Sequence, residues 1–585
     1  MVEPIGAAGL VLATLTLPAQ IFSSCVLAYT TVSDIRSHGN QFSTLFWLFR
    51  LQHTRFLVWG QNFDIYGDGI SPEKLSLPVY EMVVSTLVQI KELLEGIDKL
   101  RNYYGLTQLP TANSAEPLVS EREIKRQATI VFQVQKSCSV FRKLRWAVSD
   151  ANKFANLIQY LAQHNDALYE FCPLSQRTAQ TKAVDAEALA MAIVDEGWQG
   201  VQSLQQALES PQSLPILKSA SGTSSHLAAQ AGACIQGLRL NASETGPTQL
   251  PLMFAPNPSL YLSFRGFIVE DLRSQRRSQA MLPGSSNHGS ARALIEWRPY
   301  NQRETIGPYK YGLQLGIEVL TRMLKEAPKL SGCRILDCLG YVEDDTQARF
   351  GLAFRYPNPF SYDHACVQKT LHDLLQSKGK PFLDDRFRLA SFLVESLYEF
   401  HSTRWLHKNI SSHNLLFFST DPNLARSDST SFRLPEPYFT GFAWSRPDEP
   451  GAASHKLVDD LANSIYRHPD RQVDQQVMPR FHCAYDIYSL GTVLLEIGTW
   501  SPLIGFYKAG QNGVAFRDYL LSRKVPLLGV TMGEKYMVAV RKCLEGRFDG
   551  MRYFDIGERD SQDYTLNLQR SFYWEVVKII KEARL

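Results

Sequence analysis

Residues 404–418 read RWLHKNISSHNLLFF and place three polar side chains, those of His407, Asn409 and Asn414, in one short loop. Loops that carry polar side chains on a rigid scaffold are frequent sites of binding and catalysis. Asn409 has an amide and no carboxylate, so it cannot accept a proton from a substrate hydroxyl as a general base does. The loop therefore raises the question of whether its chemistry is intact.

The loop resembles the catalytic loop of protein kinases, His-Arg-Asp-Leu-x-x-x-Asn. His407 takes the place of the histidine and Asn414 that of the last asparagine, whereas Asn409 stands where a kinase has its catalytic aspartate. Further matches follow in the expected order. YFTGFAWSR aligns Gly441, Phe442 and Ala443 with Asp-Phe-Gly, and YRHPD (466–470) resembles Ala-Pro-Glu. DIYSLGTVLLEIGTW (486–500) resembles the helix that begins Asp-x-Trp-Ser-x-Gly, and CLEGRF places Arg547 where a kinase has the arginine that pairs with the Ala-Pro-Glu acid.

The residues that would perform phosphoryl transfer are replaced. A kinase needs a base, metal ligands and a lysine on the phosphates. Asn409 replaces the base and Gly441 replaces the magnesium-binding aspartate. The segment MLPGSSNHGSARALIEW (281–297) lacks a G-x-G-x-x-G pattern, and its lysine position aligns with Glu296 or, shifted by two, with Arg298. We therefore expect an inactive, pseudokinase-type domain with no metal site and no required cofactor.

Nucleotide binding stays open at this stage. Of the kinase metal ligands only Asn414 remains, and ATP would have to bind beside Glu296 or Arg298 without a metal ion. The resemblance also implies structural roles. Asp486 is expected to bond the backbone of the loop, Asp470 and Arg547 to form a partly buried ion pair, and His407 to pack rather than to act as a base.

Composition limits the function classes. The chain has 585 residues, a net charge of +3, 44% hydrophobic and 20% charged residues, which is ordinary for a globular protein and gives no nucleic-acid signal. The cysteines are sparse and form no C-x-x-C pair, so we expect reduced thiols, no zinc site and a cytosolic setting. They are Cys25, Cys138, Cys172, Cys234, Cys333, Cys338, Cys366, Cys483 and Cys543.

Apolar periodicity divides the chain into two parts. Helical spacing is present at 42–60, 79–97, 121–171 and 185–208, with Asp150 as an expected N-cap. A segment rich in Pro, Ser and Gly follows at 209–225, and strand patterns then occur at 259–264, 291–297 and 349–356. Helical patterns return from about residue 382. The expected fold is multidomain: an all-α helical bundle at 1–215, a linker at 216–255, and an α+β, two-lobed, protein-kinase-like domain at 256–585.

One uncharged segment has two interpretations. Residues 4–33 read PIGAAGLVLATLTLPAQIFSSCVLAYTTVS, which is long enough to span a bilayer. Pro18 and several polar residues also suit a helix buried in a bundle core. Glu3 precedes the segment and no basic region does, so we do not expect a signal peptide. The residues expected to enter a membrane are Ile5, Leu10, Leu12, Leu15, Leu17, Ile21 and Phe22.

The N-terminal part resembles the HeLo domain of fungal prion-inhibition and propagation proteins. LRWAVSDANKFANLIQYLAQHNDALYEF (144–171) carries the Trp-Ala-x-x-Asp, Phe-x-x-Leu-Ile and Asn-Asp-x-Leu features of that family, and GAAGLVLATLTLPAQIFSSCVLAYTTV and FRLQHTRFLVWG resemble its first two helices. The resemblance implies a helical bundle that executes cell death and whose first helix leaves the bundle to enter membranes. We therefore expect residues 4–33 to be a core helix at rest.

A basic stretch gives a second link to lipid. Its charges can contact anionic lipid, each contributing about 1 kcal/mol, or simply form a solvated helix face. They are Arg122, Lys125, Arg126, Lys136, Arg142, Lys143 and Arg145.

The sequence thus predicts a cytoplasmic, signal-regulated fungal cell-death effector of heterokaryon-incompatibility type, recruited to the plasma membrane on activation. The kinase-like domain is the expected receiver of an unknown activating protein, and self-oligomerisation is left open. Two alternatives remain. The first is an atypical active kinase that binds ATP and uses another carboxylate, such as Asp448 or Glu449. The second is a protein-interaction scaffold without membrane activity.

Overall fold

The structure is a computed structural model of the chain. It describes residues 18–26, 28–29, 40–63, 65, 76–103, 151–172, 181, 183–185, 187–189, 192, 198–209, 232, 259–270, 276–282, 291–300, 308–326, 334–358, 360–361, 366–377, 379–421, 431–448, 461–472, 480–549, 551 and 562–583.

The chain forms two compact units. The first comprises Met1–Ala188 with Gln202–Ala228, and the second comprises Leu189–Val201 with Ala229–Leu585. The described residues before 210 contain helices and no strand. The helical patterns at 42–60 and 79–97 and the end of the pattern at 121–171 are confirmed. The helices are α1 (Asn40–Asn62), α2 (Leu77–Tyr103), α3 (Ala151–Glu170) and α4 (Trp198–Glu209), and residues 18–26 and 28–29 are also helical.

Aromatic rings pack together in one part of the core of the helical unit. Phe22, in the helical stretch 18–26, stacks on Phe56 of α1 with ring centroids 4.5 Å apart. Gly60 makes room for this ring, because a Cβ at that position would lie 2.1 Å from the Phe22 Cζ atom. The Trp59 indole donates to the Leu168 carbonyl at 2.9 Å, which ties α1 to the end of α3. The stretch is therefore an integral part of this core.

Only the last two residues of the expected membrane set lie among the residues that the structure describes. Ile21 and Phe22 are buried in the core, as a core helix at rest requires. The remaining members, Ile5, Leu10, Leu12, Leu15 and Leu17, lie outside the described residues, as do Asp150 and the basic stretch 122–145. In the part of the chain that the structure describes, none of the helices is both long enough and apolar enough to cross a bilayer.

The second unit opens with a five-stranded antiparallel sheet in the order β1-β2-β3-β5-β4. Strands at 291–297 and 349–356 were predicted and are confirmed as β3 and β5. In the register of β2 and β3, Arg277 lies directly opposite Glu296. The strands are β1 (Ile268–Val269), β2 (Arg277–Leu282), β3 (Ala291–Pro299), β4 (Cys338–Asp344) and β5 (Arg349–Arg355).

The strand predicted at 259–264 is wrong. These residues form a turn and a single parallel bridge between Tyr261 and Tyr341. The chain then enters a short 3-10 helix, Phe264–Gly266, so no ladder continues. An apolar run forms a strand only where a neighbouring strand pairs with it over several residues.

Helices dominate after the sheet, as expected, and a three-stranded sheet and two short strand pairs lie between them, so the unit contains both sheets and helices. The remaining strands are β6 (Val367–Thr370), β7 (Lys380–Pro381), β8 (Trp405–Leu406), β9 (Leu415–Ser419), β10 (Ser431–Phe432), β11 (Pro437–Phe439) and β12 (Arg446–Pro447). The helices are α5 (Pro308–Glu326), α6 (Leu371–Leu375), α7 (Leu383–Ser402), α8 (Leu461–Ser464), α9 (Cys483–Thr499), α10 (Gly513–Tyr519), α11 (Val525–Thr531), α12 (Glu534–Glu545), α13 (Gln562–Phe572) and α14 (Lys578–Glu582).

Candidate functional site

The loop 407–414 and the turn 440–442 lie side by side because the strands next to them pair. Leu415 of β9 is opposite Phe439 of β11. The Thr440 N–H and hydroxyl both donate to the Asn414 carbonyl, at 3.0 and 2.9 Å. Residues that are distant in the sequence thus form one site.

Asp486 fixes the loop from beneath. It is fully buried in the first turn of α9 and accepts hydrogen bonds from the His407 and Lys408 N–H groups, both at 2.8 Å. Lys408 has a φ of 67°, a left-handed conformation that costs energy in a residue with a side chain. The Asp486 carboxylate also lies 3.2 Å from His401 Nε2. The aspartate therefore holds the backbone of the loop at residues 407 and 408.

His407 is placed for packing. Its ring lies 5.3 Å from Phe439 and 4.8 Å from Phe442, centroid to centroid. Its Nδ1 accepts a hydrogen bond from the Asn409 N–H. Burial lowers the pKa of His407 to about 4, so the ring is neutral near neutral pH. An imidazole with so low a pKa is a weak base, and its enclosure by Phe439 and Phe442 separates it from an external substrate.

Asn414 is hydrogen-bonded to the backbone of Asn409. The Asn414 amide donates to the Asn409 carbonyl at 2.6 Å, while its Oδ1 accepts a hydrogen bond from Arg277. Asn414 is 7% exposed. The single surviving candidate metal ligand is therefore already occupied on both ends of its amide.

Gly441 has no room for a side chain. Its φ is 89°, and a Cβ atom there would lie 2.6 Å from Asn414 Cγ. Phe442 and Ala443 follow in a short buried 3-10 helix, Phe442–Trp444. An aspartate at 441 would force Asn414 to move, so the replacement at 441 and the position of Asn414 depend on each other.

Glu296 points from β3 at this turn. Its carboxylate accepts from the Gly441 and Phe442 N–H groups at 2.6 and 2.8 Å, and the residue is 2% exposed. Arg298, two residues further along the strand, lies over the Trp444 ring at 5.6 Å. A buried carboxylate here repels phosphate. Of the two residues proposed at the lysine position, Glu296 is thus the one bonded to the turn.

Arg277 was missed by sequence reasoning. Its guanidinium donates to Asn414 Oδ1 at 2.6 Å and to the His413 carbonyl at 3.2 Å, and its Nε lies 3.7 Å from Glu296. The signal that identifies it is the β2–β3 register, which local sequence does not give. Arg277, Glu296, Asn414 and the 441–442 backbone form one bonded cluster, called here the cleft cluster.

The expected ion pair between Asp470 and Arg547 is not formed. Asp470 lies beside His468, with 3.4 Å between carboxylate and imidazole, and Arg547 is exposed just after α12. A buried acid that does bind a residue of the 466–470 motif is Glu496 of α9. It accepts hydrogen bonds from the Tyr466 hydroxyl and the Leu503 N–H, both at 2.7 Å.

Asp448, one of the two carboxylates considered for an active kinase, pairs with an arginine that is not a member of the cleft cluster. Asp448 is 6% exposed and accepts a hydrogen bond from Arg480 at 2.9 Å. Glu449 lies outside the described residues. Asp448 is therefore committed to an ion pair.

Comparison with known proteins identifies the N-terminal region. Residues 9–206 match the HeLo family, whose description is prion-inhibition and propagation. This supports the HeLo resemblance of the helical part. No curated relative matches the chain.

Proposed function

We propose that this protein is a signal-regulated effector of fungal cell death, in which the HeLo region is a conditional membrane-targeting module and the C-terminal part is a catalytically silent, protein-kinase-like regulator. The match of residues 9–206 to the prion-inhibition and propagation family is the observation that carries the effector role. The protein resides in the cytoplasm and is recruited to the plasma membrane when an activating protein binds.

The helical core supports a resting state. Ile21, Phe22 and Cys25 are buried, and Phe22 stacks on Phe56 of α1. Burial of a large apolar side chain contributes about 1.5–3 kcal/mol each, so several such residues hold the stretch in place. Membrane entry of residues 4–33 requires this packing to be exchanged for lipid, which makes the stretch a two-state element.

The cleft cluster supports catalytic silence. Asn409 offers no carboxylate, and a lost general base alone costs about 10²–10⁴ in rate. Gly441 provides no metal ligand, and Glu296 and Arg277 fill the site between the sheet and the loop. A domain of this kind serves as a regulator: it restrains the HeLo region or relays a partner's signal to it.

The antiparallel sheet followed by helices, with Asp486 beneath the loop 407–414, supports the kinase-like interpretation of this domain. The order of the motifs along the chain supports it as well. Any binding of ATP would have to displace the cleft cluster, so we propose a regulator that needs no nucleotide.

The effector role is tested with three proteins: the full chain, residues 1–230, and residues 21–230. Leakage of anionic vesicles and toxicity on expression are measured, with circular dichroism as the folding control. We expect residues 1–230 to permeabilise vesicles, the full chain to do so less because it is restrained, and residues 21–230 to be inactive yet helical.

Equal leakage by residues 1–230 and 21–230 would remove the membrane role from the N-terminal stretch and favour the scaffold. Catalytic silence is checked separately on the full chain, by phosphate transfer from ATP with magnesium or manganese. Transfer that is lost on Asn414→Ala substitution would favour the active kinase.

A further inference from the structure

The guanidinium of Arg277 is surrounded by three kinds of oxygen. They are the side-chain amide oxygen of Asn414 at 2.6 Å, the backbone carbonyl of His413 at 3.2 Å, and the carboxylate of Glu296 at 3.7 Å. Amide, carbonyl and carboxylate oxygens are the ligands that hard divalent cations take in proteins. The arginine thus occupies a position whose neighbours are those of a metal ion.

The buried negative charge of Glu296 requires a positive charge beside it. The residue is 2% exposed, and a buried carboxylate is costly unless it is paired and hydrogen-bonded. The Gly441 and Phe442 N–H groups satisfy its oxygens, and Arg277 supplies the positive charge. The pair lies directly across two neighbouring strands, so the sheet itself sets its spacing.

The same contacts join two parts of the domain. Glu296 ties β3 to the turn 441–442, and Arg277 ties β2 to residues 413 and 414. The two members of this ion pair therefore tie both strands to the loop and the turn. The guanidinium keeps its proton near neutral pH and is covalently part of the chain, so the positive charge at this position does not depend on metal ions in solution.

We infer that Arg277 is a built-in cation that takes the place of a divalent metal ion, neutralising Glu296 and holding Asn414 in position without metal or nucleotide. The inference rests on the proposed catalytic silence of this domain and gives its physical basis. It follows that removal of Arg277 leaves a set of oxygens with an uncompensated negative charge, which a divalent cation fits.

The test is the melting temperature of the full chain with and without millimolar MgCl₂ or MnCl₂. We expect the wild-type protein to be insensitive to both. Arg277→Ala should melt lower by roughly 5 °C, and MnCl₂ should restore about half of that loss or more. Arg355→Ala is the matched control, because Arg355 lies on β5 of the same sheet with a side chain 44% exposed. This variant should melt like the wild type and ignore metal.

The charge of Glu296 decides the cause. In the Glu296→Gln background, Arg277→Ala should cost less and should lose its response to MnCl₂, which electron paramagnetic resonance of bound manganese would show directly. Arg277→Gln keeps most of the side-chain volume and should show the same manganese response if Arg277→Ala proves too unstable.

Two results would overturn the inference. The first is that MnCl₂ leaves the melting temperatures of both Arg277 variants unchanged. The second is that the response of the melting temperature to MnCl₂ persists after Glu296→Gln substitution. Neither result bears on catalytic silence, because that is measured by phosphate transfer in the wild-type chain.

Discussion

Replacement of Asp486 by asparagine tests how the loop 407–414 is held. The carboxylate is 0% exposed and accepts two backbone hydrogen bonds at 2.8 Å, from His407 and Lys408. Asparagine is nearly the same size, but one of its two polar atoms is a donor. That amide would face a backbone N–H group, so one hydrogen bond is lost and two donors oppose each other.

The magnitude follows from these contacts. A hydrogen bond to a charged group contributes about 1.5–3 kcal/mol, and an unsatisfied buried N–H costs about 1–3 kcal/mol. The left-handed conformation of Lys408, with a φ of 67°, is also no longer held. We expect a loss of about 3 kcal/mol. In a domain of this size 1 kcal/mol shifts the melting temperature by about 2 °C, which gives a decrease of about 6 °C.

The assay is thermal unfolding of the full chain, with hydrogen exchange at residues 407 and 408 as the local readout. Asp518→Asn is the matched control, because that carboxylate is 60% exposed and pairs with its neighbour Arg517. The control should melt within about 1 °C of the wild type, since exposed pairs contribute little. The reasoning is refuted if Asp486→Asn melts equally close to the wild type and both amides stay protected.

Two further substitutions address the same region. Burial raises the pKa of Glu496 from 4.5 to about 7, so the folded state keeps this proton to a higher pH than the unfolded state does. The contribution of this group to stability is therefore fully present below about pH 4.5 and falls by about 3 kcal/mol up to pH 7. Comparison of melting at a series of pH values should show that Glu496→Gln removes this part of the pH dependence, and an unchanged dependence would contradict the assignment. Gly441→Ala should lower the free energy of unfolding by about 2–3 kcal/mol in chemical denaturation, because about 1–2 kcal/mol of left-handed strain adds to the contact with Asn414. Gly510→Ala is the control, because Gly510 has a φ of 81° with open space around it and should lose the strain energy alone. Equal losses in the two variants would show that Asn414 moves aside at no cost.

Regular local patterns were sufficient for the longest elements. Helix α1 carries apolar residues at helical spacing, and the pattern at 42–60 predicts it within two residues at either end. β3 and β5 are short apolar runs that lie in the middle of the sheet, so their pattern reflects burial on both faces. Where the apolar spacing of an element directly reflects which of its faces are buried, the sequence alone predicts the element.

Long-range contacts explain the failures. The run at 259–264 is apolar, yet it meets β4 at one bridge only. Arg277 was overlooked because its importance depends on the strand opposite it and on a loop more than a hundred residues later. Arg547 was expected in an ion pair by comparison, but it follows the left-handed Gly546 at the end of α12 and is exposed.

The replacements in the cleft depend on one another. Gly441 permits Asn414 to approach, Asn414 binds Arg277, and Arg277 neutralises Glu296, which in turn holds the N–H of Gly441. An aspartate introduced at 441 alone would collide with Asn414 and add a second negative charge beside Glu296. A lysine introduced at 296 alone would face Arg277 and leave two backbone N–H groups without an acceptor. Each residue of the cleft cluster is stabilised by its neighbours, so a kinase-like residue introduced at one position alone should destabilise the cluster rather than create a metal site.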